Sequence, residues 1–364
     1  MTKLHDLAAA GTSPWLDNIQ RGWLESGQFR QFVADGIVGV TSNPTIFQKA
    51  IADSSDYDAA VSALAGSGMS PTDVFFELAI ADVQGAADQI RGVYDDTGHL
   101  DGFVSFELPP SMANDTAASI KAAPEFWERI ARPNIFIKIP GTAEGVPAIE
   151  ESIARGINVN VTLLFSLHNY EQIHWAFIRG LERRVEAGEP IDDVHSVASF
   201  FVSRVDTAVD KQLPEGSPLR GTAAVANAKL AYQRYLEICA DQRWRALAEK
   251  GARVQRPLWA STGTKNPEYS DVLYVDNLIG PECVNTMPNA TIEAFLDHGT
   301  VRRTVDDDVE GARAAIEALA GAGVDLDEVT HQLEVDGVKA FSESFDSLGE
   351  TIKGEMERMN RGAA

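Results

Sequence analysis

The sequence predicts an α/β fold closed as a single (β/α)8 TIM barrel with additional helices. Three observations predict it. Short runs rich in Val, Ile and Phe alternate with longer amphipathic segments, the pattern of βα units on a parallel sheet. Eight such runs fit into 364 residues. Several of them alternate polar and apolar side chains, so that one strand face is polar. An open sheet covered by helices on both sides needs apolar residues on both faces, whereas a barrel turns one face inward, where polar groups can converge.

The predicted strands cover residues 13–18, 37–43, 102–108, 134–140, 156–165, 195–203, 256–262 and 284–289. In the second, Gly39, Thr41 and Asn43 alternate with Val38 and Val40. In the third, Ser105 and Glu107 alternate with Val104, Phe106 and Leu108. The fourth places Lys138 inside an apolar run, on the face of Phe136 and opposite Ile137 and Ile139. In the fifth, Asn158, Asn160 and Thr162 share one face, and Ile157, Val159, Val161 and Leu163 the other. A lysine is almost never buried without a reason. Two readings of Lys138 stand at this level. Desolvation disfavours the ammonium and leaves an amine that attacks carbonyls. Alternatively, the lysine pairs with a carboxylate and holds the barrel together.

Between the strands, residues 71 to about 94 read as a helix opened by Ser70-Pro-Thr-Asp, a helix-start signal. Residues 221–250 read as one long helical stretch closed by Gly251, and the tail from about 326 to 357 as a further helix or two. No linker or repeat divides the sequence. Residues 1–364 are therefore expected to form one domain, with C-terminal helices from about 304 onward.

Composition narrows the function classes. The net charge of −23 argues against nonspecific nucleic-acid binding, because a phosphate backbone is repelled. Two cysteines, Cys239 and Cys283, are too few for a disulfide scaffold. No export signal is evident, and no stretch approaches the roughly 18–20 apolar residues that span a bilayer. A cytoplasmic location and no membrane partner are expected. The seven histidines show no metal-binding spacing, so no metal and no cofactor are expected.

In such barrels the active site lies at the C-terminal ends of the strands. Near those ends the chain offers Asp17, Thr41 and Asn43, Glu107, Lys138, Asn160 and Thr162, Ser199 and Ser261. One possible amine nucleophile, two carboxylates and several hydroxyl or amide groups suit Schiff-base chemistry on a polyol.

Six segments carry a family resemblance. GVTSNPTIF at residues 39–47, IFIKIPGT at 135–142, INVNVTLLFS at 157–166, WASTG at 259–263 and NTMP at 285–288, with WLD at 15–17, resemble the transaldolase family. Its long actinobacterial and cyanobacterial form is the most similar. The resemblance implies a transferase of the pentose phosphate shunt. It would move a dihydroxyacetone unit from sedoheptulose 7-phosphate to glyceraldehyde 3-phosphate through a Schiff base on Lys138. It further implies Asp17 as general base on the C4 hydroxyl, Glu107 with Thr162 as the pair that holds a proton-shuttling water, and Thr41 as support for the lysine. Asn43, Asn160 and Ser199 would hold substrate hydroxyls, and Arg204 with Ser261 the phosphate. The family commonly has a second arginine just after that serine. This chain does not, and Lys265 is expected in its place. Expected partners are sugar phosphates, and the chain is expected to be a monomer or homodimer. A fructose 6-phosphate aldolase-like lyase, which releases the dihydroxyacetone, is the alternative. A noncatalytic sugar-phosphate-binding protein would have no need of an unpaired buried lysine.

Overall fold

The structure, a computed structural model, describes residues 1–362, with side chains through residue 359. Eight parallel strands close into a barrel in chain order. They are β1 Thr12–Leu16, β2 Gly39–Val40, β3 Phe103–Glu107, β4 Ile135–Pro140, β5 Val159–Leu164, β6 Ser196–Phe201, β7 Gln255–Ala260 and β8 Cys283–Met287. β8 pairs with β1, Thr286 opposite Trp15, and completes the ring. All eight predicted strands are present, each within or close to its expected bounds.

Inward-facing side chains fill the barrel in layers. At the N-terminal end, Trp15, Phe103, Phe136 and Val197 line a cavity of about 210 Å³. The Trp15 indole lies 2.3 Å from where a Cβ on Gly39 would sit, so β2 can pass only as glycine. The middle layer is polar. Asn160 Nδ2 donates to Ser105 Oγ (3.0 Å), and Ser199 Oγ donates to Asn160 Oδ1 (2.7 Å). Buried polar groups of this kind are tolerated because they satisfy one another. Glu107 and Lys138 stand above them, opposite each other on β3 and β4.

Helices surround the barrel. Pro71–Asp96 starts where predicted, with Ser70 Oγ accepting from Asp73 N at 3.1 Å and proline in the first turn. The stretch 221–250 is not one helix. It breaks into Ala223–Cys239 and Gln242–Ala248, because the Asp241 carboxylate accepts from Arg243 N (2.8 Å) and caps a new start. An internal aspartate can serve as an N-cap wherever the chain leaves helical geometry.

The tail forms Val309–Gly321 and one long helix, Leu326–Gly362. The long helix crosses the C-terminal face of the barrel. Phe345 packs on Phe75 and Phe76, Thr45 Oγ1 donates to Ser344 Oγ (2.9 Å), and Asn169 donates to Glu334. Gly337 passes close over the barrel mouth: a Cβ there would meet Leu163 Cδ2 at 2.9 Å and Arg204 Nη1 at 3.8 Å. The ladder between β5 and β6 shifts register between Val161 and Leu164, and Leu163 has φ 60°. The strict alternation expected along this strand ends at that bulge. Leu163 accordingly lies against the C-terminal helix.

Candidate active site

Lys138 is buried, 5% exposed, and its Nζ donates to Glu107 Oε2 and to the Ser42 carbonyl, each at 3.0 Å. The expectation of an unpaired lysine is thus corrected. Every second residue of β3 faces inward, and Glu107 is the last of them, at the level of Lys138. Ion pairing alone therefore does not separate a nucleophile from a structural lysine, and the rest of the site must.

Burial pushes the Glu107 carboxyl above the ordinary carboxylate range, Lys138 opposes the shift, and the nearby Asp17 adds to it. A carboxyl raised in this way is a stronger base, and at 3.0 Å from Lys138 Nζ it is placed to exchange a proton with it. Asp17 stands one residue beyond β1 and accepts from Thr41 Oγ1 at 2.8 Å. Thr41, expected to support the lysine, orients this carboxylate. Thr162 Oγ1 is buried with no protein partner among the described residues. It sits on β5 one inward position above Asn160, which is opposite Lys138. Asn43 Oδ1 accepts from Ile46 N (3.0 Å) and so caps the helix Pro44–Ala52. Asn160 and Ser199 belong to the buried network below the lysine.

Arg204 opens the helix Ser203–Asp210 just after β6. Its guanidinium stacks over Phe201 (5.1 Å) and makes no hydrogen bond or ion pair among the described residues. Burial lowers its pKa, while the fields of Asp17 and Glu107 raise it, which ties all three groups to one space. Ser261, held at φ 57°, brings its Oγ to 3.0 Å from Ser203 Oγ beside Arg204. A half-buried guanidinium with free donors beside hydroxyls is suited to a phosphate. Lys265 is not brought to it. It lines a separate cleft of about 190 Å³ with Asp206, Asp210, Lys211 and Arg220, because the loop after Ser261 carries it outward. Two site residues were missed. Ser105 bonds Asn160, and Ser42 offers its carbonyl to Lys138 and its hydroxyl to Ser105 O (2.7 Å). Ser105 was legible from its place on the inner face of β3. A backbone carbonyl leaves no sequence signal.

Fold and site together define a class: a (β/α)8 barrel with a buried lysine, two carboxylates and, among the described residues, an arginine without an ion-pair partner at its C-terminal mouth. Comparison with known proteins narrows it. The family described as Transaldolase/Fructose-6-phosphate aldolase matches residues 14–352, and the chain belongs to that family. It is 48% identical over 362 residues to the transaldolase of Frankia alni, covering 98% of each chain. It is 44% identical over 374 residues to transaldolase 2 of a Nostoc species, again covering 98% of each. It is 47% identical over 352 residues to the transaldolase of Thermobifida fusca, covering 95% of this chain and 96% of the other. No helix among the described residues is long and apolar enough to cross a membrane.

Proposed function

We propose that the chain is a transaldolase that moves a dihydroxyacetone unit from sedoheptulose 7-phosphate to glyceraldehyde 3-phosphate, giving erythrose 4-phosphate and fructose 6-phosphate. The observation that carries this is the Lys138–Glu107 pair at 3.0 Å, within a polar barrel mouth shared with Asp17 and Arg204. Proton transfer to Glu107 frees Lys138 Nζ to attack the donor ketone. Glu107 returns the proton to the carbinolamine hydroxyl, which leaves as water held by Glu107 and Thr162. The protonated imine is then an electron sink. Asp17 takes the proton of the C4 hydroxyl, the C3–C4 bond breaks, and its electron pair forms an enamine on Lys138. The aldehyde product departs and the acceptor enters. The enamine attacks the acceptor, Asp17 gives the proton back, and hydrolysis of the imine releases the product.

The remaining groups position the sugar. Arg204 and Ser261 take the phosphate, and Asn43, Asn160 and Ser199 the hydroxyls of the dihydroxyacetone unit. Lys265, in its separate cleft, supplies only a distant charge. Because the protein carries −23, long-range steering opposes anionic substrates, so local cations must provide affinity. We further propose one domain over residues 1–364, a cytoplasmic location and a monomer or homodimer.

Borohydride reduction in the presence of fructose 6-phosphate tests the reading. A dihydroxyacetone-derived mass is expected on the peptide containing Lys138, and a label on another lysine would overturn the assignment. Rates with and without an acceptor aldose phosphate separate transfer from lyase activity. Free dihydroxyacetone formed as fast without acceptor as transfer is with it would identify a lyase.

A further inference from the structure

At the end of the barrel opposite Lys138, two loops meet. The loop before β3 carries His99, and the loop before β6 carries Asp193 and His195. His99 Nδ1 lies 2.7 Å from Asp193 Oδ1, and His195 Nε2 lies 3.1 Å from the same oxygen. One donor atom from each residue lies within 4.8 Å of the other two. His99 and Asp193 are 94 residues apart in sequence, so only the fold assembles the group.

Both loops are held in place by contacts outside the cluster. His99 sits at φ 68°, a left-handed conformation that residues with a side chain seldom adopt. Its ring stacks on Tyr94, with centroids 4.1 Å apart and planes at 8°. Arg253 donates to Gly98 O (2.8 Å) and to Asp192 O (3.2 Å), bridging the two loops next to the cluster. The backbone N–H of His195 donates to Asn158 Oδ1 (2.8 Å), and the His195 ring packs on Phe103.

Two imidazole nitrogens and one carboxylate oxygen are the donor set of borderline divalent transition metals. Ligands each about 2.1 Å from such an ion lie about 3.0–3.4 Å apart at cis-octahedral or tetrahedral angles. The observed separations of 2.7 and 3.1 Å need to open by only a few tenths of an ångström. His195 also lines the cavity of about 210 Å³ at this end of the barrel, which leaves room for water ligands. We propose that His99, Asp193 and His195 bind one divalent ion of the zinc class, which cross-links the two loops at the N-terminal end of the barrel. Each imidazole binds as a neutral ligand with its one proton on the ring nitrogen that faces away from Asp193, so the ion takes the place of the two imidazole contacts to Asp193 Oδ1. It is structural, remote from Lys138, and independent of the reading of the active site.

The test uses the full chain, stripped with a chelator and dialysed, then titrated with zinc chloride in a calorimeter. One ion per chain and a rise in Tm on zinc addition are expected. Asp193→Asn and His99→Gln should each weaken binding at least about tenfold and remove the rise in Tm. His298→Gln should leave zinc binding unchanged, although His298 contacts Asp271 and Asp297 on the surface. Cobalt(II) in place of zinc should give a visible absorption band that Asp193→Asn abolishes. No saturable binding to the unmodified chain, or binding that survives both cluster variants, would overturn the proposal.

Discussion

Two buried ion pairs occupy opposite ends of the same barrel, and they are built differently. Lys138–Glu107 spans 3.0 Å near the C-terminal mouth, and Arg256–Asp101 spans 3.1 Å near the N-terminal end. All four side chains are less than a tenth exposed. Arg256 spends its donors fully. They reach Asp101, Ser13 Oγ and the carbonyls of Leu100, Glu282 and Cys283. Ser13 Oγ donates in turn to Asp101 Oδ2 at 2.8 Å. Among the described residues Lys138 reaches only Glu107 and one carbonyl, and an ammonium has three donors. A guanidinium stays charged, whereas an ammonium can give up its proton. A saturated arginine pair is therefore suited to hold strands together, and an unsaturated lysine pair can exchange a proton with its partner and react. Burial alone does not distinguish them. The number of satisfied donors and the kind of cation do.

Exchanging the cation type gives the largest expected effect. Lys138→Arg keeps the charge beside Glu107 but removes the nucleophile. Transfer activity should fall by about 10⁴-fold or more, the order seen when a covalent nucleophile is lost, with Tm little changed. A steady-state rate alongside a melting curve checks both halves.

Altering the carboxylates should cost somewhat less. Glu107→Gln should slow imine formation, and Asp17→Asn should allow the imine but stall cleavage of the carbon–carbon bond. Each loss is expected at about 10²–10⁴-fold. Single-turnover borohydride trapping discriminates between them, and equal trapping rates would contradict this division of roles.

At the other end the same kind of change should appear as stability, not rate. Asp101→Ala leaves Arg256 charged and short of its carboxylate, a loss of about 3–5 kcal/mol. Urea unfolding should show it, while kcat of the folded fraction stays unchanged. A large fall in kcat with normal stability would reverse the contrast drawn between the two pairs.

The smallest effect is expected at Gly337. Alanine is the better helix former by about 1 kcal/mol, yet its Cβ would press on Leu163 and approach Arg204. Gly337→Ala should raise KM for phosphorylated substrates about fivefold, equivalent to about 1 kcal/mol of overpacking. KM for an unphosphorylated ketose donor should be nearly unaffected. A parallel KM series on both donors measures the difference.

Much of this was legible in the sequence because side-chain alternation along a strand is a local property. Alternation alone puts Ser105 and Glu107 on one face of β3, Phe136 and Lys138 on one face of β4, and Asn160 with Thr162 on one face of β5. It also distinguishes a barrel with a polar lining from an open sheet. What alternation cannot say is which inward groups meet, since that depends on register between strands and on how loops return. Only the closed barrel sets Glu107 against Lys138 and aims Thr41 at Asp17. Only the loop after Ser261 carries Lys265 away from Arg204, and only the long C-terminal helix lays Gly337 over the mouth. His99 and His195 lie in different loops, so no spacing motif could announce that both would face Asp193. Local chemistry is written along the chain, but contacts between distant residues exist only once the chain has closed on itself.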